Sequence, residues 1–178
     1  IVTRDPDCYI GWHAGDRSTP DLPLRLAALI DDFCNRHQKQ ALLFGVSAGG
    51  FATMNILAKL NCNAIGLAMI PQTSIANYKF DFAAYYVKTA FTHKNQPNSR
   101  ESISKLLNNA GISHDIRRAD FKKKHLIFMQ NVCENDLKAH TIPFMQNRSW
   151  KELAPGIFQE MGSNLLLMVG HWGEGHCP

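Results

Sequence analysis

Hydrophobic residues recur along this chain with two spacings. Mainly apolar runs at 42–46, 64–70, 125–132 and 164–169 are short enough to be strands, and their weak alternation marks them as buried on both faces, as in a parallel sheet. Between them the apolar positions fall at helical intervals. Leu26, Leu29, Ile30 and Phe33 predict a helix over 24–37, behind the start signals Pro20, Asp21 and Pro23, and a second helix follows over 51–60. A further strand is predicted at 8–12, and Ser99 is placed to cap a helix that runs to Asn109 and ends at Gly111. Strands alternating with helices predict an α/β domain: a mostly parallel sheet with helices on both faces.

The segment 72–107 fits this alternation less well. Its aromatic residues, Tyr78, Phe80, Phe82, Tyr85, Tyr86 and Phe91, admit two readings. One is a lid inserted over an edge of the sheet. The other is an amphipathic helical hairpin packed on the sheet, because aromatic residues at helical spacing usually belong to a core.

The chemistry concentrates where the 42–46 strand runs into Gly45-Val46-Ser47-Ala48-Gly49-Gly50 and then into a helix. A serine at the apex of such a turn adopts a strained backbone, and only small neighbours fit around it. Gly45, Ala48, Gly49 and Gly50 meet that demand. The turn lifts the Ser47 hydroxyl to the end of the sheet and sets the Ala48 backbone N–H at a helix N-terminus, where it can hold an oxyanion. The plainer reading is a small-residue turn that tightens a strand–helix junction.

Residues 41–60 resemble the nucleophile elbow of α/β-hydrolases, and Gly173-Glu174-Gly175-His176-Cys177-Pro178 is similar to the histidine loop of the same superfamily. More narrowly, Ser47-Ala48-Gly49-Gly50-Phe51-Ala52 followed by Ile70-Pro71-Gln72-Thr73 is similar to α/β-hydrolase-like proteins of bacterial surface-glycan gene clusters. Some relatives of that group are polysaccharide O-acetyltransferases. The resemblance implies an acyl-serine intermediate formed from a small acyl ester or a glycan substrate. It implies no resident cofactor for a hydrolase, and an acyl donor such as acetyl-CoA for a transferase.

The partners of Ser47 are then expected in the chain order serine, acid, histidine, on loops past later strands. Beyond 125–132 stand Glu134, closer to the spacing of the family's acid loop, and Asp136, with the commoner side chain and the stiffer reach. Either could instead cap the helix beginning near Leu137. Beyond 164–169 stand His171, abutting the strand end, and His176, on a glycine-bearing loop able to swing over Ser47. His176 is the expected base and Asp136 the expected acid, ahead of Glu134. Gly11, Trp12 and His13 lie on a loop, 11–15, that could supply a second oxyanion N–H, although chain order in this fold would put that loop upstream of Ile1. A structural loop is the commoner role for a histidine such as His13.

Composition narrows the setting. A chain of 178 residues with 45% hydrophobic content fills one core, so a single domain over 1–178 is expected. Because this fold adds a closing helix beyond its histidine and the chain opens on Ile1, both ends are expected to be cut from a longer protein. The net charge of +4 is scattered apart from Lys122-Lys123-Lys124 and Arg117-Arg118, which gives no nucleic-acid stripe. Five cysteines, Cys8, Cys34, Cys62, Cys133 and Cys177, form no C-x-x-C pair and argue for a reducing compartment, hence a cytoplasmic protein. No run is long enough to span a membrane. A zinc site built from His171, His176, Cys133 and Cys177 matches no standard spacing, so no metal is expected. The rival to an enzyme is a binding or assembly subunit that kept the fold without the chemistry.

Overall fold

The computed structural model describes residues 10–91, 97–133, 135–146 and 148–174. Its strands are β1 (Ala41–Val46), β2 (Ala64–Met69), β3 (His125–Asn131), β4 (Trp150–Ala154), β5 (Ile157–Glu160) and β6 (Asn164–Gly170). They form one sheet in the order β1-β2-β3-β6-β5-β4. The first four in that order are parallel, and they are the four runs marked by hydrophobicity. On β2, β3 and β6 one row of positions, including Gly66, Leu126 and Leu167, is buried and the other is mostly half-buried, so alternation is suppressed; on β1 it is suppressed because the exposed row is itself apolar, Leu42 and Phe44.

The antiparallel β4–β5 hairpin was not anticipated. Strand β4 is mostly exposed, and β5 offers only Ile157 and Phe158 as apolar residues, so no apolar run announces the hairpin. The available signal was Pro155-Gly156, a turn in which Gly156 takes φ +74° while its carbonyl accepts the Val169 N–H at 2.7 Å. The strand expected at 8–12 is corrected over its described part. Residues 10–12 are loop and turn, because Trp12 (φ 49°) and His13 (φ 47°) take left-handed conformations that no strand accommodates.

The helices are α1 (Leu22–His37), α2 (Ala48–Leu57), α3 (Phe80–Phe91), α4 (Arg100–Asn109) and α5 (Ile142–Met145), the last preceded by a π-helical turn, Leu137–Thr141. Helix α2 is buried from Gly50 through Leu57, as its apolar composition requires, and lies over β1 and β2. Ser99 caps α4 through a reciprocal box with Ser102. Within 72–107, Tyr86, Val87, Phe91, Ile103 and Leu107 enter the common core, while Phe82 remains exposed. One edge of the sheet is β1, where Leu42 and Phe44 face solvent, and the other is β4. Among the described residues no helix is long and apolar enough to cross a membrane.

Candidate active site

Parallel strands deliver their carboxyl ends to one edge of a sheet, which is where α/β folds build sites. Val46, Met69, Met129 and Met168 lie in one register line across β1, β2, β3 and β6. The next residues therefore begin four adjacent loops: Ser47 after β1, Ile70 to Thr73 after β2, Cys133 to Asp136 after β3, and His171 to Glu174 after β6.

Ser47 has φ 55° and ψ −118°, a backbone state that costs a residue with a side chain about 1–3 kcal/mol. A serine that served only to start α2 would sit in the β region and turn its oxygen onto the first-turn N–H groups. Ser47 makes no such cap, so its hydroxyl is left for other partners. The strain is held from both sides. The Ser47 N–H donates to the Met69 carbonyl at 2.9 Å, and the Ser47 carbonyl accepts the Phe51 N–H at 3.1 Å. Ala48 opens α2, where the first N–H groups have no intrahelical acceptor, so its amide is available at the helix's positive end.

Strained residues cluster here. Of the described non-glycine residues with positive φ, Trp12, His13, Ser47 and Ile70 surround this edge, and Gln38 merely closes α1. Ile70 (φ 41°) turns the chain so that Pro71 packs against the start of α2, where a Cβ on Gly50 would stand 2.7 Å from Pro71 Cβ. That turn returns Gln72 over Ser47. Gln72, fully buried, donates from Nε2 to Ser47 Oγ at 2.7 Å, and its Oε1 accepts the Trp12 indole N–H at 2.6 Å. Trp12 is itself 1% exposed, wedged edge-on against Tyr78 and Tyr86. The 11–15 loop thus reaches the site through the Trp12 side chain. His13 is exposed on the same loop, and the Gly11 carbonyl accepts the Ala14 N–H at 3.2 Å to close the turn.

On the loop after β3, Asp136 is buried and its side chain does not cap the following helical turn. One of its oxygens stands 3.9 Å from Nε2 of His140, a fully buried histidine that the sequence reading did not weigh. His140 Nδ1 accepts the Thr73 N–H at 3.2 Å, and its carbonyl accepts the Thr73 hydroxyl at 3.0 Å, which anchors the segment carrying Gln72. Burial, joined by the positive charges of Arg117 and Arg100, lowers its pKa to about 4. His140 is therefore neutral at neutral pH. Glu134 and His176 lie outside the described residues. His171 is exposed, with Nδ1 3.1 Å from Cys133 Sγ, and Asn131 donates from Nδ2 to the Gly173 carbonyl at 2.9 Å, tying the loops after β3 and β6 together. Two members of the weighed zinc set thus meet, while Cys177 and His176 fall outside the described residues. Among the described residues no three His, Cys, Asp or Glu side chains are grouped to hold a metal ion.

No protein-family model matches the sequence, and no curated protein is similar to it. Solved structures do match. An acylaminoacyl peptidase of Pyrococcus horikoshii aligns at TM-score 0.52 and 13% identity over 93% of this chain and 25% of its own. A puromycin-hydrolyzing peptidase of Mycobacterium tuberculosis aligns at TM-score 0.53 and 11% identity over 93% of this chain and 23% of its own. The fold is α/β-hydrolase-like. This chain spans about a quarter of the length of those structures.

Gln72 and His140 escaped the sequence reading as site residues. Gln72 stands in the Ile70-Pro71-Gln72-Thr73 string, and nothing in its spacing shows that a left-handed Ile70 folds it back over Ser47. His140 follows Asp136 by one helical turn, a spacing that was available and not used.

Proposed function

We propose that this chain carries a serine hydrolase-type site that acts through an acyl-serine intermediate, either as an acyl-ester hydrolase or as an O-acyltransferase with a glycan as acceptor. The carrying observation is Ser47: a strained elbow backbone whose hydroxyl does no capping work. The two proteins of similar structure are named as peptidases, one acylaminoacyl and one puromycin-hydrolyzing, which is compatible with a hydrolase reading.

In this reading Ser47 Oγ attacks the acyl carbonyl and its proton passes to His176, which later protonates the leaving group. Ala48 N–H stabilises the oxyanion. Asp136, or Glu134, orients the imidazole. Reach favours His176 over His171. Three strand spacings separate the β1 and β6 ends, about 14 Å, and five residues of extended chain beyond His171 cover up to about 17 Å. His171 stands at the strand end itself. The 72–107 segment, entering through Gln72 and Tyr78, shapes the acceptor side, and the acceptor it admits decides between hydrolysis and transfer, with an acyl donor such as acetyl-CoA in the second case.

A fluorophosphonate probe tests this directly. Stoichiometric labelling that disappears in Ser47→Ala supports an activated nucleophile. An unlabelled, folded protein would leave a binding or assembly subunit as the better reading.

A further inference from the structure

We propose that the Gln72 side-chain amide is the second oxyanion donor of this site, set in orientation by Trp12. The inference rests on the acyl-serine reading and names a residue that reading lacks.

The direction of the hydrogen bonds follows from chemistry. An indole N–H can only donate, so the Gln72 atom facing Trp12 at 2.6 Å is the carbonyl oxygen. The amide nitrogen therefore faces Ser47, at 2.7 Å from Oγ. Ser47 Oγ receives a proton donor there, so its own O–H must point elsewhere, toward a base. Gln72 cannot turn away: it is fully buried, and Pro71 beside it is pressed against the first turn of α2.

On attack, Oγ forms a bond to the acyl carbon, the carbonyl π pair moves onto the carbonyl oxygen, and the serine proton goes to the imidazole. Oγ loses acceptor strength as it becomes an ether-type oxygen of the tetrahedral intermediate, while full negative charge appears on the other oxygen bonded to the same carbon. The Gln72 N–H that reached Oγ shifts its hydrogen bond to this neighbouring oxygen, opposite the Ala48 N–H. Such a donor favours the transition state over the ground state, because the charge it meets exists only after attack. The same arrangement accounts for the strain at Ile70: a left-handed, β-branched residue after β2 is tolerated where it brings Gln72 into position. Trp12 is a positioning residue, acting on the reaction through the amide it holds.

The test compares wild type, Gln72→Glu, Gln72→Ala and Trp12→Phe, using p-nitrophenyl acetate turnover and fluorophosphonate labelling. Gln72→Glu keeps the shape and the acceptor for Trp12 but presents no N–H to the site. It is expected to lose about 100- to 1,000-fold in kcat with KM unchanged, as for removal of one oxyanion donor. Gln72→Ala should match it, and Trp12→Phe should show a smaller loss in kcat alone. A crystal structure of the phosphonylated wild type should place the phosphonyl oxygen about 2.7–3.1 Å from both Gln72 Nε2 and Ala48 N. If wild type labels at Ser47 while folded Gln72 variants retain kcat, or lose only KM, the inference fails and the acyl-serine reading stands. If wild type does not label, both fail. Should Gln72→Ala not fold, Gln72→Glu and the adduct decide.

Discussion

The Gly49 carbonyl oxygen passes so close to Gly45 that a Cβ on Gly45 would stand 2.1 Å from it, with Thr53 Oγ1 at 2.6 Å. The first turn of α2 is stacked directly on the end of β1, and the elbow exists because position 45 has no side chain. Gly45→Ala must push two backbones apart. It is expected to cost about 1–3 kcal/mol, as overpacking does, and to abolish ester turnover by displacing Ser47. Gly49 belongs to the same motif, yet a Cβ there meets nothing within 4 Å. Gly49→Ala should raise the melting temperature, since alanine is favoured over glycine in a helix by about 1 kcal/mol. Thermal melts of the two variants check this, and equal destabilisation would refute the stacking argument.

Ser47 carries the strain of φ 55° and also satisfies the buried Gln72 amide. Ser47→Ala keeps the strain and leaves that amide without its acceptor, which costs about 1–3 kcal/mol. Ser47→Gly leaves the amide in the same state but relieves the backbone. The glycine variant should therefore melt higher than the alanine variant, with turnover absent from both. Calorimetry on the pair decides; an alanine variant at least as stable as the glycine one would mean that no strain is stored at the elbow.

How far the sequence reaches is shown by particular residues. Strands β2, β3 and β6 were readable because cover on both faces writes a continuous apolar run, β1 because even its exposed positions are Leu42 and Phe44, and the elbow because close stacking admits only small residues at Gly45 and Gly50. The β4–β5 hairpin was not, because a mostly exposed strand such as Trp150–Ala154 carries no hydrophobic signature. Trp12 was identified with the oxyanion loop, and the structure brings it to the site by its indole, through contacts sixty residues away that no local pattern encodes. A left-handed Ile70 contradicts β-branched preference, so propensity would have extended the strand through it.

The acid and the base are separable by kinetics. Asp136→Asn is expected to lower kcat by about ten-thousandfold, as loss of a triad carboxylate does, with Glu134→Gln mild. His176→Ala should cost several orders of magnitude, while His171→Ala, which removes only an exposed ring beside Cys133, should leave kcat near wild type. A large kcat loss in His171→Ala with His176→Ala near normal would move the base to the strand end.

His140 should make stability depend on pH. It is fully buried, its Nδ1 accepts the Thr73 N–H, and its pKa is lowered to about 4 by burial first, then by Arg117 and Arg100, with Asp115 opposing. The nearer Asp136 oxygen stands 3.9 Å from Nε2, beyond hydrogen-bond distance of the ring. In the unfolded chain the same imidazole titrates near 6.5. Between those two values the unfolded state binds more protons, so stability rises with pH across that window. Its contribution is complete above about 6.5 and is lost as pH falls toward about 4. Protonated Nδ1 would also face the Thr73 N–H, donor against donor, loosening the turn that presents Gln72. Melting temperature should therefore fall from pH 6.5 to pH 4 in wild type, and ester turnover measured below the melting point should fall with it. His140→Gln retains an acceptor for Thr73 and does not titrate. It should lower stability at neutral pH and flatten this part of the profile; an unchanged slope in the variant would assign the acid sensitivity to other groups.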